Sequence, residues 1–415
     1  MKSIDVLIIG AGPYGLSLAS SLHARGIEFL IFGKPMGSWA ENMPPGMLLK
    51  SYPWASSLYG EHERSTAKHF CNERAIPYHD TMLPLSRETF LAYGRDFQAR
   101  FVPNVEPASL RLLVRSDRGF RADFADGQAV EARRVVIAVG LQPFRRIPTS
   151  LCHLPPELWS HSGQYGSLDD FIDGDVTIIG HGSSATDLAG LLHEAGANVS
   201  LVARAEELSF ARPPRHRGLL ERMIAPDSGI GEGWTLKLCA DAPRLIRLLP
   251  DRWRHDLAYT RALGPLGGAF MSGKVLGKVR TLMGRQVTGA QQRDGRVYLH
   301  LCDGRGTTQI LRTSHVIAAT GYQIDVSRLT FLEKRISADL RARAGAPVLS
   351  ADYESSVPGL HFIGPISASS FGPVARFVFG TRHPSQRMPR YFARELVRKF
   401  SPGSRLGALT PVVSE

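Results

Sequence analysis

The sequence contains few cysteines, and none of them lies close to another. Four occur in 415 residues, with no C-x-x-C motif and no Cys/His cluster at zinc-ligand spacing: Cys71, Cys152, Cys239 and Cys302. This spacing excludes a redox-active dithiol, a disulfide framework and a cysteine-rich zinc site. Unpaired thiols are typical of a reducing compartment, so the sequence predicts a cytoplasmic location and no bound metal.

Long apolar runs are also absent. No stretch reaches the ~18 residues of a membrane span and none precedes the first strand, so we expect neither an anchor nor a signal peptide. The net charge is +12, but no basic motif is interleaved with aromatic residues. We therefore expect a generally basic surface, with no nucleic acid or membrane as partner. The basic helical pattern over residues 387–400 is interpreted as a docked terminal helix.

A glycine-rich turn lies close to the start of the chain. Residues 5–9 are a short apolar run typical of a strand buried in a parallel sheet, and residues 16–24 have helical spacing. Between them Gly10, Gly12 and Gly15 form a G-x-G-x-x-G motif. In this context the motif predicts a dinucleotide site, with the pyrophosphate at the helix N-terminus.

One part of this fingerprint is missing. An acidic residue about 20 positions further on usually holds a ribose hydroxyl. Here the second strand, residues 27–32, ends in Gly33 and Lys34 instead. The ribose contact is therefore left to backbone groups or to Lys34.

A second strand–glycine–helix unit follows in the middle of the chain. Residues 175–179 run into a similar motif formed by Gly180, Gly182 and Ala185, and a helical pattern covers residues 186–194. Ser183 and Ser184 offer hydroxyl groups to a phosphate. Arg204 follows the partner strand, residues 199–203, where an arginine favours the 2′-phosphate of NADP. The alternative is a surface arginine with no such role.

The remaining patterns organise the chain around these two units. Residues 35–84 are aperiodic but rich in proline and aromatic residues, which favours a functional lining. Residues 86–101 predict a helix capped by Ser86, and Asp-Gly turns at 126–127 and 294–295 predict two hairpins. Apolar strands end in glycine at 140, 321 and 364. Residues 206–284 are mostly helical.

Two dinucleotide units in one chain predict a hydride transfer. A nicotinamide cofactor in the second unit needs an acceptor, and FAD in the first is the simplest one. The predicted fold class is α/β, with two Rossmann-like domains and the NAD(P)H domain inserted into the FAD domain. We expect the FAD domain over residues 1–165 and 311–415, the NAD(P)H domain over 166–310, and the substrate in the cleft between them.

The order of these motifs resembles the class B flavin monooxygenases, which include flavin-containing monooxygenases, Baeyer–Villiger monooxygenases and lysine/ornithine N-hydroxylases. The resemblance rests on the two glycine motifs, on Met-Gly-Ser-Trp at 36–39 and on Ala-Thr-Gly-Tyr at 319–322. His161 and Tyr165 match half of the family's linker signature. The block at 362–373 is similar to a bacterial branch often labelled FAD-dependent urate hydroxylase.

The resemblance implies an FAD- and NADPH-dependent monooxygenase, with NADH as a possible substitute. In this family NADPH reduces FAD, and the reduced flavin captures O₂ as a C4a-(hydro)peroxide that oxygenates a small molecule. N-hydroxylation or ring hydroxylation is favoured over Baeyer–Villiger insertion. The alternative is an FAD/NAD(P)H oxidoreductase without oxygenation, such as a reductase or dehydrogenase.

These arguments single out two sets of residues. The candidates near the reacting centre lie in the long aperiodic segment and near the C-terminus: Lys50, Ser51, Tyr52, Ser370 and Phe371. The cofactor-binding candidates follow the motifs: Gly10, Gly12, Pro13, Tyr14, Gly15, Lys34, Met36, Trp39, Gly140, Gly180, Gly182, Ser183, Ser184, Arg204, Thr320, Gly321, Gly364 and Phe371.

Overall fold

The computed structural model describes residues 2–213, 215–261 and 266–400. The first part of the chain builds one sheet and the helices around it. Its strands are β1 (Lys2–Ile9), β2 (Phe29–Phe32), β3 (Leu110–Ser116), β4 (Gly119–Phe124) and β5 (Ala129–Ile137). Its helices are α1 (Pro13–His23), α2 (Gly37–Glu41), α3 (Ala67–Glu73) and α4 (Arg87–Phe101).

The middle part contributes two larger sheets, the small two-stranded sheet β9-β10 and a helical insertion. Its strands are β6 (Trp159–His161), β7 (Asp175–Ile179), β8 (Asn198–Val202), β9 (Asp227–Ser228), β10 (Gly231–Glu232), β11 (Arg280–Leu282), β12 (Arg285–Arg293), β13 (Arg296–Asp303), β14 (Thr308–Thr313) and β15 (His315–Ala318). Its helices are α5 (Ser183–Glu194), α6 (Leu219–Ile224), α7 (Trp234–Asp241), α8 (Pro243–Ile246), α9 (Asp251–Asp256) and α10 (Ser272–Val275).

The last part returns to the first sheet. It contains the short strands β16 (Ala342–Arg343), β17 (Ala346–Pro347) and β18 (Leu360–Phe362), and the helices α11 (Lys334–Asp339), α12 (Ala368–Phe371) and α13 (Arg382–Phe400). Strand β18 pairs in parallel with the second half of β5, next to β1. The chain therefore leaves the first sheet after β5 and comes back to it through β18.

The first sheet has the order β2-β1-β5-β4-β3, with β1, β2 and β5 parallel. Ile9 pairs with both Phe32 and Ile137, so these three strands end level at one edge. Nucleotides bind at the carboxyl ends of the strands in open α/β sheets. The glycine turn after β1 lies at that edge.

The second sheet is entirely parallel, with the order β11-β8-β7-β15-β6. Ile179 pairs with both Val202 and Ala318, and Ala318 pairs with His161, so four strands again end level. A three-stranded antiparallel sheet, β12-β13-β14, stands beside it. Each parallel sheet has its own buried cluster of apolar side chains.

Helix α4 shows why the elements form where the sequence predicts them. The Ser86 hydroxyl accepts a hydrogen bond from the backbone N–H of Thr89 at 3.0 Å, which caps the first turn. Phe90, Tyr93 and Phe97 are buried along one face of the helix. The predicted cap and apolar face are therefore confirmed.

The predicted fold class is also confirmed, because the parallel strands of both large sheets carry a strand–glycine–helix unit. The domain boundaries at residues 165 and 310 remain predictions. Strands β6 and β15, which flank them, both belong to the second sheet. Across the described residues, no helix combines the length and apolar character needed to cross a bilayer.

Candidate functional site

The first glycine turn is shaped by close backbone contacts. A Cβ atom added to Gly15 would lie 1.8 Å from the carbonyl oxygen of Gly10, so only glycine lets α1 pack this closely on β1. A Cβ added to Gly10, which has φ +114°, would lie 2.3 Å from the carbonyl oxygen of Ala138. A Cβ added to Gly12 would meet nothing within 4 Å. The turn is therefore tight behind Gly10 and Gly15 and open in front of Gly12.

The first turn of α1 is anchored by Tyr14. Pro13 occupies the first helical position, and the buried hydroxyl of Tyr14 lies 2.9 Å from the carbonyl oxygen of Ala375 and 3.0 Å from that of Phe377. Burial raises the pKa of this hydroxyl. Gly364 lies against the Tyr14 ring, since a Cβ added there would come within 3.4 Å of it. Tyr14 thus ties the glycine turn to the C-terminal part of the chain.

The segment after β2 has one exposed and two packed side chains. The Lys34 ammonium group is exposed and lies 2.9 Å from the carboxylate of Glu41. Met36, at φ +54°, is fully buried, and Trp39 meets Phe90 edge-on with ring centroids 4.5 Å apart. Met36 and Trp39 therefore contribute mainly packing at this edge of the sheet.

The second glycine turn repeats the first. Gly180 has φ +142°, and a Cβ added to it would lie 2.3 Å from the carbonyl oxygen of Ala319. Gly182 caps α5, and Ser183 and Ser184 are its first two residues. Because α5 has 12 residues, its N-terminus carries the positive end of a full helix dipole.

Arg204 lies just beyond the end of β8, the strand that pairs with β7. Its side chain is exposed, and it is close enough to His181 for its charge to act on that ring. Burial first, and then the Arg204 charge, lower the pKa of His181. Arg204 and the second glycine turn therefore share one edge of the second sheet.

A buried histidine holds the turn that follows β15. His161 donates from Nε2 to the carbonyl oxygen of Gly321 at 3.0 Å, and its Nδ1 accepts from the N–H of Gly163 at 3.1 Å. Burial lowers the pKa of His161 to about 4, so the ring is neutral at neutral pH. The Thr320 hydroxyl donates to the carbonyl oxygen of Arg146. Thr320 and Gly321 are thereby fixed at the end of the second sheet.

The long segment between β2 and α4 reaches across to the second sheet. The Lys50 ammonium group forms an ion pair with the carboxylate of Asp187, which lies in α5 and is almost completely buried. Burial raises the pKa of Asp187, whereas Lys50 lowers it. The second carboxylate oxygen of Asp187, Oδ1, is buried without a hydrogen-bond partner among the described residues. Sequence reasoning missed Asp187, although an acid among the apolar positions of α5 was a usable signal.

Two residues further on, the same segment contacts the helical insertion. The Tyr52 hydroxyl donates to Glu232 at 3.2 Å, and burial together with the Glu232 charge raises its pKa to about 12. Glu232 in turn lies 3.5 Å from the guanidinium group of Arg217. Ser51 is half-buried between Lys50 and Tyr52.

The C-terminal candidates have partners of their own. Ser370 and Phe371 are buried in α12, and the Phe371 ring stacks on Tyr353 with centroids 3.9 Å apart. The Tyr353 hydroxyl lies 2.6 Å from Nδ1 of His383. Gly140, at φ +68° after β5, has open space where a Cβ would be. The contacts named here join Lys50 to Asp187 and Phe371 to Tyr353, and sequence reasoning missed Tyr353 and His383.

Comparison with known proteins shows the family to which the chain belongs. Residues 7–219, just over half of the chain, match the family model described as pyridine nucleotide-disulphide oxidoreductase. The chain belongs to this family. The region matched contains both glycine turns, Lys50 and Asp187.

Two curated relatives indicate how broad this family is. The indole-3-pyruvate monooxygenase YUCCA1 of Oryza sativa subsp. japonica is 26% identical over 212 residues, which are 48% of this chain and 47% of that protein. The ferredoxin–NADP reductase of Salinispora arenicola (strain CNS-205) is 29% identical over 285 residues, which are 64% of this chain and 77% of that protein. The chain spans about half the length of several other curated relatives that it matches.

A solved structure extends the likeness to the whole fold. The ornithine N-hydroxylase of Kutzneria sp. 744, solved with reduced FAD, NADP⁺ and L-ornithine, has a TM-score of 0.74 at 16% identity and covers 95% of this chain and 100% of that one. At this identity the likeness concerns the fold. The resemblance to class B flavin monooxygenases is confirmed at that level.

Proposed function

We propose that the protein is an FAD- and NADPH-dependent monooxygenase that oxygenates a small molecule. The observation that carries the proposal is the pair of glycine turns that follow parallel strands in two sheets of one chain. A single dinucleotide site would serve many functions, whereas two serve hydride transfer between cofactors. Membership of the oxidoreductase family agrees with this reading.

The first turn fits a dinucleotide pyrophosphate. Its open side lies at Gly12, and the N-terminus of α1 provides N–H groups and a positive dipole end. Gly10, Gly15 and Gly364 shape this site, and Tyr14 fixes the helix. Bound FAD would supply the oxygen-activating chemistry once it is reduced.

The second turn fits NADPH. Gly180 and Gly182 bring the backbone close, Ser183 and Ser184 donate hydroxyl groups to phosphate, and Arg204 pairs with the 2′-phosphate. His161 keeps Thr320 and Gly321 in place next to this site. The proposal includes O₂ as co-substrate and a cytoplasmic location. It also includes domain boundaries at residues 165 and 310.

Lys50, Ser51 and Tyr52 are the candidates that face the substrate. The ion pair with Asp187 orients the Lys50 ammonium group. Tyr52 remains protonated at neutral pH because its pKa is raised to about 12. The long segment that carries them excludes water from the cleft, with Ser370 and Phe371 lining its other side.

N-hydroxylation or ring hydroxylation is the proposed reaction type, in preference to Baeyer–Villiger insertion. The likeness to a solved ornithine N-hydroxylase over nearly the whole chain supports it at the level of fold. A second candidate is an oxidoreductase without oxygenation. The relation to a ferredoxin–NADP reductase favours this candidate, whereas the absence of C-x-x-C opposes a disulfide reductase.

The test begins with purified full-length protein. Its flavin is identified after release, and it is reduced without oxygen by NADPH and by NADH in parallel. We expect FAD and faster reduction by NADPH. The oxidation of NADPH is then followed in air with a panel of amines and heteroaromatic compounds, and products are analysed by mass spectrometry. A product heavier by one oxygen atom supports the proposal. Reduction of ferredoxin without oxygenated products would favour the second candidate, and absence of flavin would overturn both.

A further inference from the structure

The helical insertion exposes an unusual number of large apolar side chains. Among the described residues, most of those that are strongly exposed lie between Leu219 and Leu276. We define the apolar ridge as six residues of α6 and α7: Leu219, Leu220, Met223, Ile224, Trp234 and Leu238. Contiguous exposed apolar surface of this kind marks an interaction site in soluble proteins.

Helix α6 is amphipathic and none of its residues is buried, so its apolar side is exposed. At 3.6 residues per turn, its four apolar residues fall within an arc of about 140°. Leu219 is 83% exposed, and Leu220, Met223 and Ile224 are each 70% exposed. Glu221 and Arg222 occupy the rest of the helix. Both are exposed as well, so α6 covers no part of the core.

Trp234 extends the ridge from α7. Its indole Nε1 donates to the carbonyl oxygen of Met223 at 3.2 Å, so its polar group is satisfied while the ring remains 63% exposed. Leu238 lies one turn further along α7 and is exposed as well. Tryptophan with a satisfied N–H and an exposed ring is favoured at membrane–water interfaces.

The ridge is held firmly from behind. The side chain of Arg217 is only 5% exposed and pairs with Asp227 at 2.7 Å. It also donates to the carbonyl oxygens of Glu221 and Ala225 at the end of α6. These bonds fix α6 on the rest of the insertion, so its outward face is a built feature.

The segment that carries the ridge has an excess of positive charge. Residues 212–254 contain nine Lys and Arg against five Asp and Glu, a net charge of +4. Exposed arginines on this segment include Arg212, Arg215, Arg222, Arg244 and Arg252. Two of them have acidic partners within the segment, since Arg215 pairs with Glu221 and Arg222 with Asp227. We propose that the apolar ridge binds the surface of an anionic lipid membrane, with the apolar side chains among the acyl chains and the arginines at the headgroups. This is how interfacial amphipathic helices attach without spanning the bilayer.

A second copy of the chain fits this surface less well. Most homodimers are two-fold symmetric, so the ridge of one copy would face that of its partner. The two net positive segments that carry the ridges would then face each other, and their repulsion opposes association. Anionic lipid complements the same charge. A membrane partner differs from the expectation drawn from the lack of long apolar runs and from the pattern of residues 387–400.

The residues that support the ridge also contact the long segment between β2 and α4. Arg217 pairs with Glu232, and Glu232 accepts the hydrogen bond of Tyr52 in the long segment. A substrate that dissolves in the membrane would therefore enter close to the proposed site. Binding itself does not depend on the proposed function and is tested separately from it.

The test is flotation of the full-length protein with vesicles. Vesicles of phosphatidylcholine alone are compared with vesicles of phosphatidylcholine and phosphatidylglycerol in equal parts. Both are tested at low and at high salt. We expect binding to the anionic vesicles that weakens with salt, because the headgroup attraction is screened. Leu220→Glu combined with Met223→Glu is expected to lower the partition coefficient about tenfold or more, since two exposed apolar groups that would enter the acyl chains become charged.

The matched control is Ile310→Glu, which changes a similarly exposed apolar residue on β14, far from the insertion in sequence. It should bind vesicles as the parent does. Flavin content and thermal unfolding of each variant establish that it is folded. Equal binding by the double variant, or no binding to anionic vesicles at low salt, would overturn the proposal. The proposal would also be overturned if the parent protein forms a dimer and does not bind vesicles, and the double variant is a monomer.

Discussion

At the scale of single residues, Gly12 and Gly15 differ in what an added methyl group would meet. We predict that Gly15→Ala lowers the free energy of unfolding by about 3 kcal/mol or more, because its Cβ would overlap the carbonyl oxygen of Gly10. Gly12→Ala should leave the flavin-free protein as stable as the parent, since nothing lies within 4 Å and φ is −83°. It should weaken FAD binding about tenfold or more, because the methyl group occupies the space of the pyrophosphate.

Denaturant unfolding of the flavin-free proteins and fluorescence titration with FAD measure the two effects separately. Gly127→Ala, at a hairpin turn with φ +89° and open space, is a control for the general cost of replacing glycine at positive φ. An unstable Gly12→Ala protein, or one that binds FAD normally, would contradict the assignment of the pyrophosphate site.

The proposed preference for NADPH rests on Arg204. We predict that Arg204→Ala raises the KM for NADPH about tenfold or more and leaves that for NADH nearly unchanged, because a charge-assisted bond to the 2′-phosphate is lost. Steady-state oxidation of both cofactors measures this. Arg305→Ala, in the exposed turn before β14, is the matched control. A parallel loss with both cofactors would instead indicate a structural role.

At the scale of elements, the ion pair between the long segment and α5 is the main new feature. Lys50→Met leaves the carboxylate of Asp187 buried without its cation. We predict a loss of about 2 kcal/mol in the free energy of unfolding at neutral pH, below the usual value for a fully buried pair because Lys50 is partly exposed. Asp187→Asn in the same background should recover most of it.

The same pair gives a pH dependence with a definite sign. Burial raises the pKa of folded Asp187 above its unfolded value, so the folded state binds more protons and loses stability as pH rises through that window. In Lys50→Met the pKa rises further. The stability difference between parent and variant should therefore be larger at pH of about 7 than at about 5. Urea unfolding at both pH values measures it, and a constant difference would contradict the account.

Much of the fold and both glycine turns could be predicted from local patterns, but the long-range contacts of the candidate site could not. Strand β1, the helix α4 with its cap and the two hairpins follow from periodicity, Ser86 and the Asp-Gly turns. The contacts of Lys50 and Phe371 join segments far apart in sequence: Lys50 with Asp187, and Phe371 with Tyr353. Nothing local specifies such pairs, because they depend on how two sheets and the insertion pack together.

Across the whole molecule, several buried histidines make acid destabilising. Burial lowers the pKa of His161, His361 and His383 to about 4 each. Because these values lie below the unfolded pKa of about 6.5, the unfolded state binds more protons between the two values. The free energy of unfolding should therefore fall steadily as pH drops from about 6.5 to about 4. Replacing His161 by Gln removes one of the three histidines and should make this pH dependence less steep. A flat profile in the parent protein would contradict the prediction.

The central claim concerns the molecule as a whole: two nucleotide sites cooperate so that a reduced flavin reacts with O₂ in a protected cleft. The most direct measurement is stopped-flow absorbance of the NADPH-reduced protein mixed with oxygen while NADP⁺ is bound. We predict a transient that differs from both oxidised and reduced flavin and that persists longer with NADP⁺ than without it. Direct return to oxidised flavin with hydrogen peroxide release, unchanged by NADP⁺ and by any oxygenated substrate found, would contradict the monooxygenase assignment.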